Sequence, residues 1–305
     1  MRTWTQIEKE RHGSQAWLNQ RFANASGEKQ VSASVAAAIY DRHPFTSAAS
    51  YAAELLRESA PEPSETNDAM ERGNRLEPVI LEWTNDKLGT NFTVPEVLYV
   101  FSDGDARMIA TLDGFDGEKI LEIKTTTRDW TGVLPDYWAV QGIHQAVCTN
   151  VSEVIWAVFD RSQTLHFHTQ FVSSDEKEMH IQAVGKWLSY IDMGMTPEGV
   201  SWTYETIQQR HPQDDGGLIE LGPKGSELVA QLKHIKSELK SYEAMEDACK
   251  AELCELIGDA ATAVVAGEVV ATWKTTTRSS LDTKALKEAH PDLVASYTKE
   301  VRRVS

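Results

Sequence analysis

The stretch ATLDGFDGEKILEIKTTT, residues 110–127, constrains this chain more tightly than any other part of it. Two β-prone runs flank Asp-Gly steps, so the segment reads as two strands joined through the turn GFDGEK. If the strands pair through that turn, Asp113 and Glu122 are brought side by side. Side chains alternate along a strand, so Glu122 and Lys124 point to one side and Ile123 to the other. Adjacent carboxylates repel unless a cation sits between them, and hard oxygen ligands favour Mg2+ or Mn2+.

A metal, an ammonium group and positioned oxygens are the parts that phosphodiester hydrolysis needs. The metal lowers the pKa of water; Lys124 orients or helps deprotonate that water, or balances charge on a phosphate. The string KTTTR, residues 124–128, recurs at 274–278. There Thr272 stands where the first copy has Glu122, so only the first copy can hold a divalent metal. The second lies on an exposed β-prone strand and reads either as a nucleic-acid contact or as a solvated face.

Around this segment the order is helix, β meander, helix, two strands, helix, which describes a mixed sheet flanked by helices. In AWLNQRFANASGEKQVSASVAAAIYDR, a turn at Gly27 precedes a small-residue helix from Ser34. As its N-cap, Ser34 would leave backbone N–H groups free to receive an anion. The segment SETNDAMERGNRLEPVILEWTNDKLG is a helix stopped at Gly89, with a kink expected at Pro78. PDYWAVQGIHQAVCTN places Trp138, Gln141 and Gln145 on one side of another. His166 and His168 share one face of a strand and, with no further ligand candidates nearby, read as solvated or hydrogen-bonded side chains.

The polar run YETIQQRHPQDDGG marks a domain boundary, giving a domain over 1–205 and an extension over 206–305. In the extension Leu228, Ile235, Tyr242, Cys249 and Leu256 recur every seven residues, as do Leu232, Leu239 and Leu253, with Glu246 the one break. That heptad helix is expected to pack along a partner helix or its own core, in preference to forming an autonomous oligomerisation zipper. A hairpin about Gly267, a helix capped by Asp282 and the basic end KEVRRVS follow.

The 46 acidic against 30 basic residues give a net charge of −16, which argues against a surface that binds nucleic acid everywhere but not against a local basic groove. Three cysteines without CxxC spacing exclude an iron–sulfur ligand set and read as buried reduced thiols. No apolar run suits a membrane span or signal peptide, so a cytosolic protein is expected.

The residues RF with VSAS, then ERGNRLEP, ATLDGF, LEIKTTT and YWAVQGIHQAVCTN occur in an order that resembles the YqaJ and lambda-exonuclease family of phage-type recombination nucleases. That family belongs to the PD-(D/E)xK superfamily, and the resemblance covers about residues 15–195. It implies an α+β, restriction-endonuclease-like core with a central mixed sheet, followed here by a helical and hairpin extension. It implies that Asp113, Glu122 and the Ile123 carbonyl bind Mg2+, or Mn2+ in its place. Glu77 would contact the metal or its water, and Lys124 would be the catalytic lysine. Arg21 and Ser34 match positions that bind the 5′ phosphate of a DNA end, and Asp103 matches an acidic position ten residues before Asp113.

The family helix reads Q-x-Q; here Gln141 is kept but Ile143 replaces the second glutamine, with Gln145 a turn later. The activity implied is 5′-to-3′ digestion of one strand of linear duplex DNA to mononucleotides, leaving a 3′ overhang. A ring-shaped homotrimer and a single-strand annealing partner are implied too. A structure-specific endonuclease of the same superfamily and a non-catalytic DNA-binding recombination scaffold are the alternatives.

Overall fold

The computed structural model describes residues 1–63, 67–211, 213–275 and 283–298. The chain divides into two compact units, Met1–Pro212 and Gln213–Ser305.

In chain order the first unit comprises β1 (Thr3–Glu8), α1 (Gln15–Phe22), β2 (Val31–Ser32), a 3-10 helix (Ala33–Tyr40), α2 (Ala48–Leu55) and α3 (Asp68–Leu88). Then come β3 (Val97–Asp103), β4 (Ala106–Ala110), β5 (Gly114–Phe115), β6 (Lys119–Thr125) and α4 (Asp136–Thr149). β7 (Glu153–Phe159), β8 (Leu165–Phe171), α5 (Ser174–Asp192) and α6 (Tyr204–Arg210) complete it. The expected mixed α+β architecture is present, but the strands form two four-stranded sheets instead of one, in the orders β1-β3-β4-β2 and β5-β6-β7-β8. Each holds one parallel pair, β2 with β4 and β6 with β7. The meander divides because the chain leaves β4 at Ala110 and enters β5 at Gly114, in the other sheet.

β6 and β7 are covered on both faces, as their near-continuous apolar sequences require. Ile120 and Trp156 join the larger core, with Trp138 of α4 stacked on Trp156 at 5.8 Å. Leu121 and Ile123 face the opposite way, into a smaller core with Ile80 of α3. Helix α3 begins at an Asn67 cap and ends at Gly89 in the left-handed conformation. Pro78 lies within it. Helices α4 and α5 are tied through a buried chain: His144 Nδ1 lies 3.0 Å from His180 Nε2, and the other His180 ring nitrogen is 2.8 Å from the Tyr40 hydroxyl. Burial pushes the His180 imidazole down to about 4, so the chain is uncharged at neutral pH.

Several expectations need revision. Ser34 does not cap its helix; the 3-10 helix starts at Ala33, Ser32 occupies the cap, and Ser34 is its second residue. Only Cys148 is buried, whereas Cys249 is exposed and Cys254 half-buried. His166 pairs with Asp160 at 3.0 Å, the hydrogen-bonded role expected of it.

In the second unit, α7 (Pro223–Ile257) is a single helix of 35 residues, none of them buried. β9 (Thr262–Val265) and β10 (Glu268–Thr272) form the expected hairpin, with Ala266 and Gly267 both at positive φ as a tight two-residue turn requires. α8 (Thr283–Ala289) and α9 (Pro291–Tyr297) follow. Asp282, residues 276–278 of the second KTTTR and all of KEVRRVS, residues 299–305, lie outside the described residues.

Gly142 of α4 passes directly over β7 and β8. A Cβ there would meet Gln170 Oε1 and come within 3.0 Å of the Trp156 ring. Gln170 cannot swing away freely, because it accepts from Trp156 Nε1 at 3.1 Å and donates to the Ala139 carbonyl at 2.9 Å. Gly142→Ala is therefore expected to lower stability by roughly 1–3 kcal/mol, measured by denaturant unfolding.

Candidate active site

The antiparallel register of β5 and β6 pairs Gly114 with Leu121 and Phe115 with Ile120. Continued by one residue, it sets Asp113 opposite Glu122, as the turn in the sequence requires. Asp113 is fixed there by the Ile123 amide, which donates to its Oδ2 at 2.7 Å. A strand residue turns its N–H and C=O toward the same neighbour. The Ile123 carbonyl accordingly faces the Asp113 side of β6, beyond the last β5 pair.

Glu122 is 3% exposed, and such a carboxylate is tolerable only with donors on its oxygens. Lys124, two residues on and on the same face, donates to Oε1 at 2.7 Å. Gln141 Nε2 donates to the same oxygen. Gln145 Nε2 donates to Oε2 at 2.6 Å and to the Thr111 carbonyl at 3.2 Å. The two glutamines are one helical turn apart on α4, so both reach down onto β6. Gln145 was not among the site residues read from the sequence. The signal was the i, i+4 glutamine pair, which the absence of a Q-x-Q pattern obscured.

Glu77 reaches the site from α3, whose Gly73 lies against Thr125 at the end of β6. Burial raises the Glu77 pKa and the Glu122 charge raises it further, against the opposing pull of Lys124 and Lys9. The Asp113 carboxyl is raised well above its ordinary value, first by burial and then by Glu122, with Glu77 adding and Lys124 opposing. For Lys124, burial favours the neutral amine, but Glu122 and Asp113 together outweigh it and the net shift is upward. The ammonium therefore stays charged at neutral pH.

A second corner forms where α1 meets the 3-10 helix. Arg21 donates to Ser32 Oγ at 2.8 Å and to Ser34 Oγ, while its guanidinium lies 4.3 Å from the centre of the Trp17 ring. The structure thus brings Arg21 and Ser34 together through side chains, not through a helix cap. His43 relates to both corners: burial lowers its pKa most, the Ser34 backbone opposes that, and the charge of Lys124 adds to it. Nothing in the sequence marks His43.

Asp103 is not part of this set. At the end of β3 it pairs with Arg2 Nε at 2.8 Å, and the N-terminal amine is 3.7 Å away. Lys274 and Thr275 of the second KTTTR are exposed beyond β10.

Residues 16–152 match the model of the YqaJ-like viral recombinase domain. Within the first unit, these residues are similar to the YqaJ-like domain. The match spans both corners, from Arg21 through Glu122 to Gln145. Among solved structures, an alkaline exonuclease from Laribacter hongkongensis is 20% identical with a TM-score of 0.47, covering 59% of this chain and 93% of that one. The same exonuclease in complex with dAMP is 19% identical with the same TM-score and coverage. A phage-related exonuclease from Haemophilus somnus is 11% identical with a TM-score of 0.40, covering 54% of this chain and 96% of that one. No curated protein matches.

The donor chemistry of this site suits a hard divalent cation. Two carboxylates face each other across strands, a third feels their charge, and a strand carbonyl points the same way. Among the described residues, however, no three Asp, Glu, His or Cys side chains converge closely enough to hold a metal ion. The Glu122 oxygens accept from Lys124 and Gln141 at Oε1 and from Gln145 at Oε2, which leaves one acceptor site on Oε2 for a cation. Because the Asp113 and Glu77 pKa values are raised in the fold, their contribution to stability is complete below the unfolded carboxylate range and is lost as pH rises through the folded values. Asp113→Asn is thus expected to raise stability in chelator at pH 7–8 by about 1 kcal/mol and to flatten that pH dependence, as read by thermal melts from pH 4 to 8.

Proposed function

We propose that this protein is a Mg2+-dependent DNA exonuclease that digests one strand of linear duplex from its 5′ end, releasing mononucleotides and leaving a 3′ overhang for single-strand annealing. The observation that carries the reading is the in-register pair of Asp113 and Glu122 with the Lys124 ammonium on the same strand face. The YqaJ-like match over the segment holding all three supports it, as does the exonuclease named among the structural neighbours.

Asp113, Glu122, the Ile123 carbonyl and Glu77 would hold the cation, which supplies Lewis acidity toward a phosphodiester oxygen and toward water. Lys124, held charged by its carboxylate neighbours, places a cation beside the scissile phosphate and stabilises charge that develops there. Gln141 and Gln145 orient Glu122 from above. Arg21, braced by Ser32 and Ser34 and backed by Trp17, offers guanidinium N–H groups to the terminal 5′ phosphate.

With a net charge of −16, retention on DNA is assigned to topology, a homotrimer encircling the duplex, not to a basic surface. Among the described residues no helix is long and apolar enough to cross a membrane. The cytoplasm is the proposed compartment and a single-strand annealing protein the proposed partner.

Lys124→Ala should cut the rate on linear duplex at least a hundredfold while the chain still folds and unfolds cooperatively, at a lower stability because Glu122 loses its counter-charge. Retention of the wild-type rate would remove Lys124 from the mechanism. Arg21→Ala should abolish the preference for 5′-phosphate over 5′-hydroxyl ends, read as the ratio of kcat/KM for the two. Nicking of closed circular DNA would favour an endonuclease, and absence of Mg2+-dependent cleavage of any DNA a binding scaffold.

A further inference from the structure

Helix α7 presents a repeating apolar stripe that no described residue of the second unit buries. Leu239 is 56% exposed and Tyr242 64%, and among the described residues of the second unit none is buried. A water-exposed helix of 35 residues gains little from propensity alone and draws its stability from packing one face. The spacing identifies the cover. Leu232, Leu239 and Leu253 take the a positions of a heptad, and Leu228, Ile235 and Tyr242 take d, which is the seam of a coiled coil.

Charge then decides orientation. In a parallel pair of α7 helices, Glu246 at an a position would face its own copy in the core, and Glu238 at g would face Glu243 at e of the other chain on both sides. Like charges would meet at each of these places. In an antiparallel pair, a positions pack against d positions, and the flanks become e against e and g against g. With Leu239 opposite Tyr242 of the second copy, Lys236 meets Glu243 of the second copy, and the symmetric contact repeats it. On the other flank Glu238 meets the uncharged Met245. Glu246 faces Ile235 and keeps its own Lys250 at 2.6 Å.

This register also overlaps the helices from end to end, because α7 runs from Pro223 to Ile257 and its midpoint falls beside Leu239. Sliding by one heptad in one direction opposes Lys236 to Lys236, and in the other Glu243 to Glu243. Full overlap, an apolar seam broken at Glu246 and opposite charges coincide in one arrangement only.

We propose that α7 pairs with α7 of a second copy of this chain as an antiparallel coiled coil, with Leu239 of each against Tyr242 of the other. The pairing is independent of the nuclease reading. It makes the second unit a device that joins two chains through a contact separate from the YqaJ-like domain, and in the proposed homotrimer each such pair would join chains of different rings.

The test uses the full chain carrying Cys249→Ser and Cys254→Ser, with Ser226→Cys spin-labelled and read by pulsed electron paramagnetic resonance. Antiparallel pairing puts Ser226 opposite position 255 of the second copy, so a distance of about 40 Å is expected. Leu239→Asp should erase that distance. By sedimentation, Lys236→Glu should weaken the association roughly tenfold, and Lys236→Glu with Glu243→Lys should restore it. A distance of about 10 Å, which marks a parallel pair, would overturn the proposal. So would a 40 Å distance that survives Leu239→Asp, the absence of any distance between copies, or a double charge reversal no better than the single one.

Discussion

The arrangement of the first unit turns on one buried carboxylate. Glu122 is 3% exposed, deep enough that an unpaired charge would cost several kcal/mol. Three donors meet that demand: Lys124 on its own strand and the glutamines of α4. Satisfying Glu122 therefore fixes the height and rotation of α4 over β6, which is why Gly142 passes so close to the indole of Trp156 and the amide of Gln170. The Trp138–Trp156 stack holds the same interface from the apolar side. A polar contact and a hydrophobic one converge on a single helix placement, so the site is built into the core and not laid upon it.

Around Glu122 the charges are out of balance by design of the strands. Asp113 is held opposite by the Ile123 amide, and Glu77 arrives from α3, so carboxylates outnumber the one ammonium group. Burial raises Asp113 and Glu77 most and the neighbouring carboxylates raise them further, a repulsion that the proposed divalent cation would relieve. In the proposed reaction, Arg21 at the other corner would offer charge to the terminal phosphate, and a chain of strongly negative net charge would use DNA without a basic surface because the required cations are local.

The second unit obeys a different logic. Its helix α7 has a seam and no buried residue, and its flanking charges are paired for one orientation. The first unit folds around its own side chains. The proposed coil needs a second chain to complete its core, which makes association part of its stability and not an addition to it.

Much of this was legible in the linear chain, and for a definite reason. The alternation of β6 and the Asp-Gly turn before it are local, so they determine that Asp113 faces Glu122 and that Lys124 shares its side. Local too are the Gly89 stop, the Gly267 hairpin and the heptad of α7, each set by backbone preference or periodicity within a few residues. What required the fold was long-range. The split into two sheets, the choice of Gln145 for the free oxygen of Glu122, the meeting of Arg21 with Ser34 across the Gly27 turn, His43 between the corners, and the diversion of Asp103 to Arg2 all join residues by packing. Sequence periodicity specifies which face a side chain takes; only burial, which forces every charge to find a partner, selects what lies across from it.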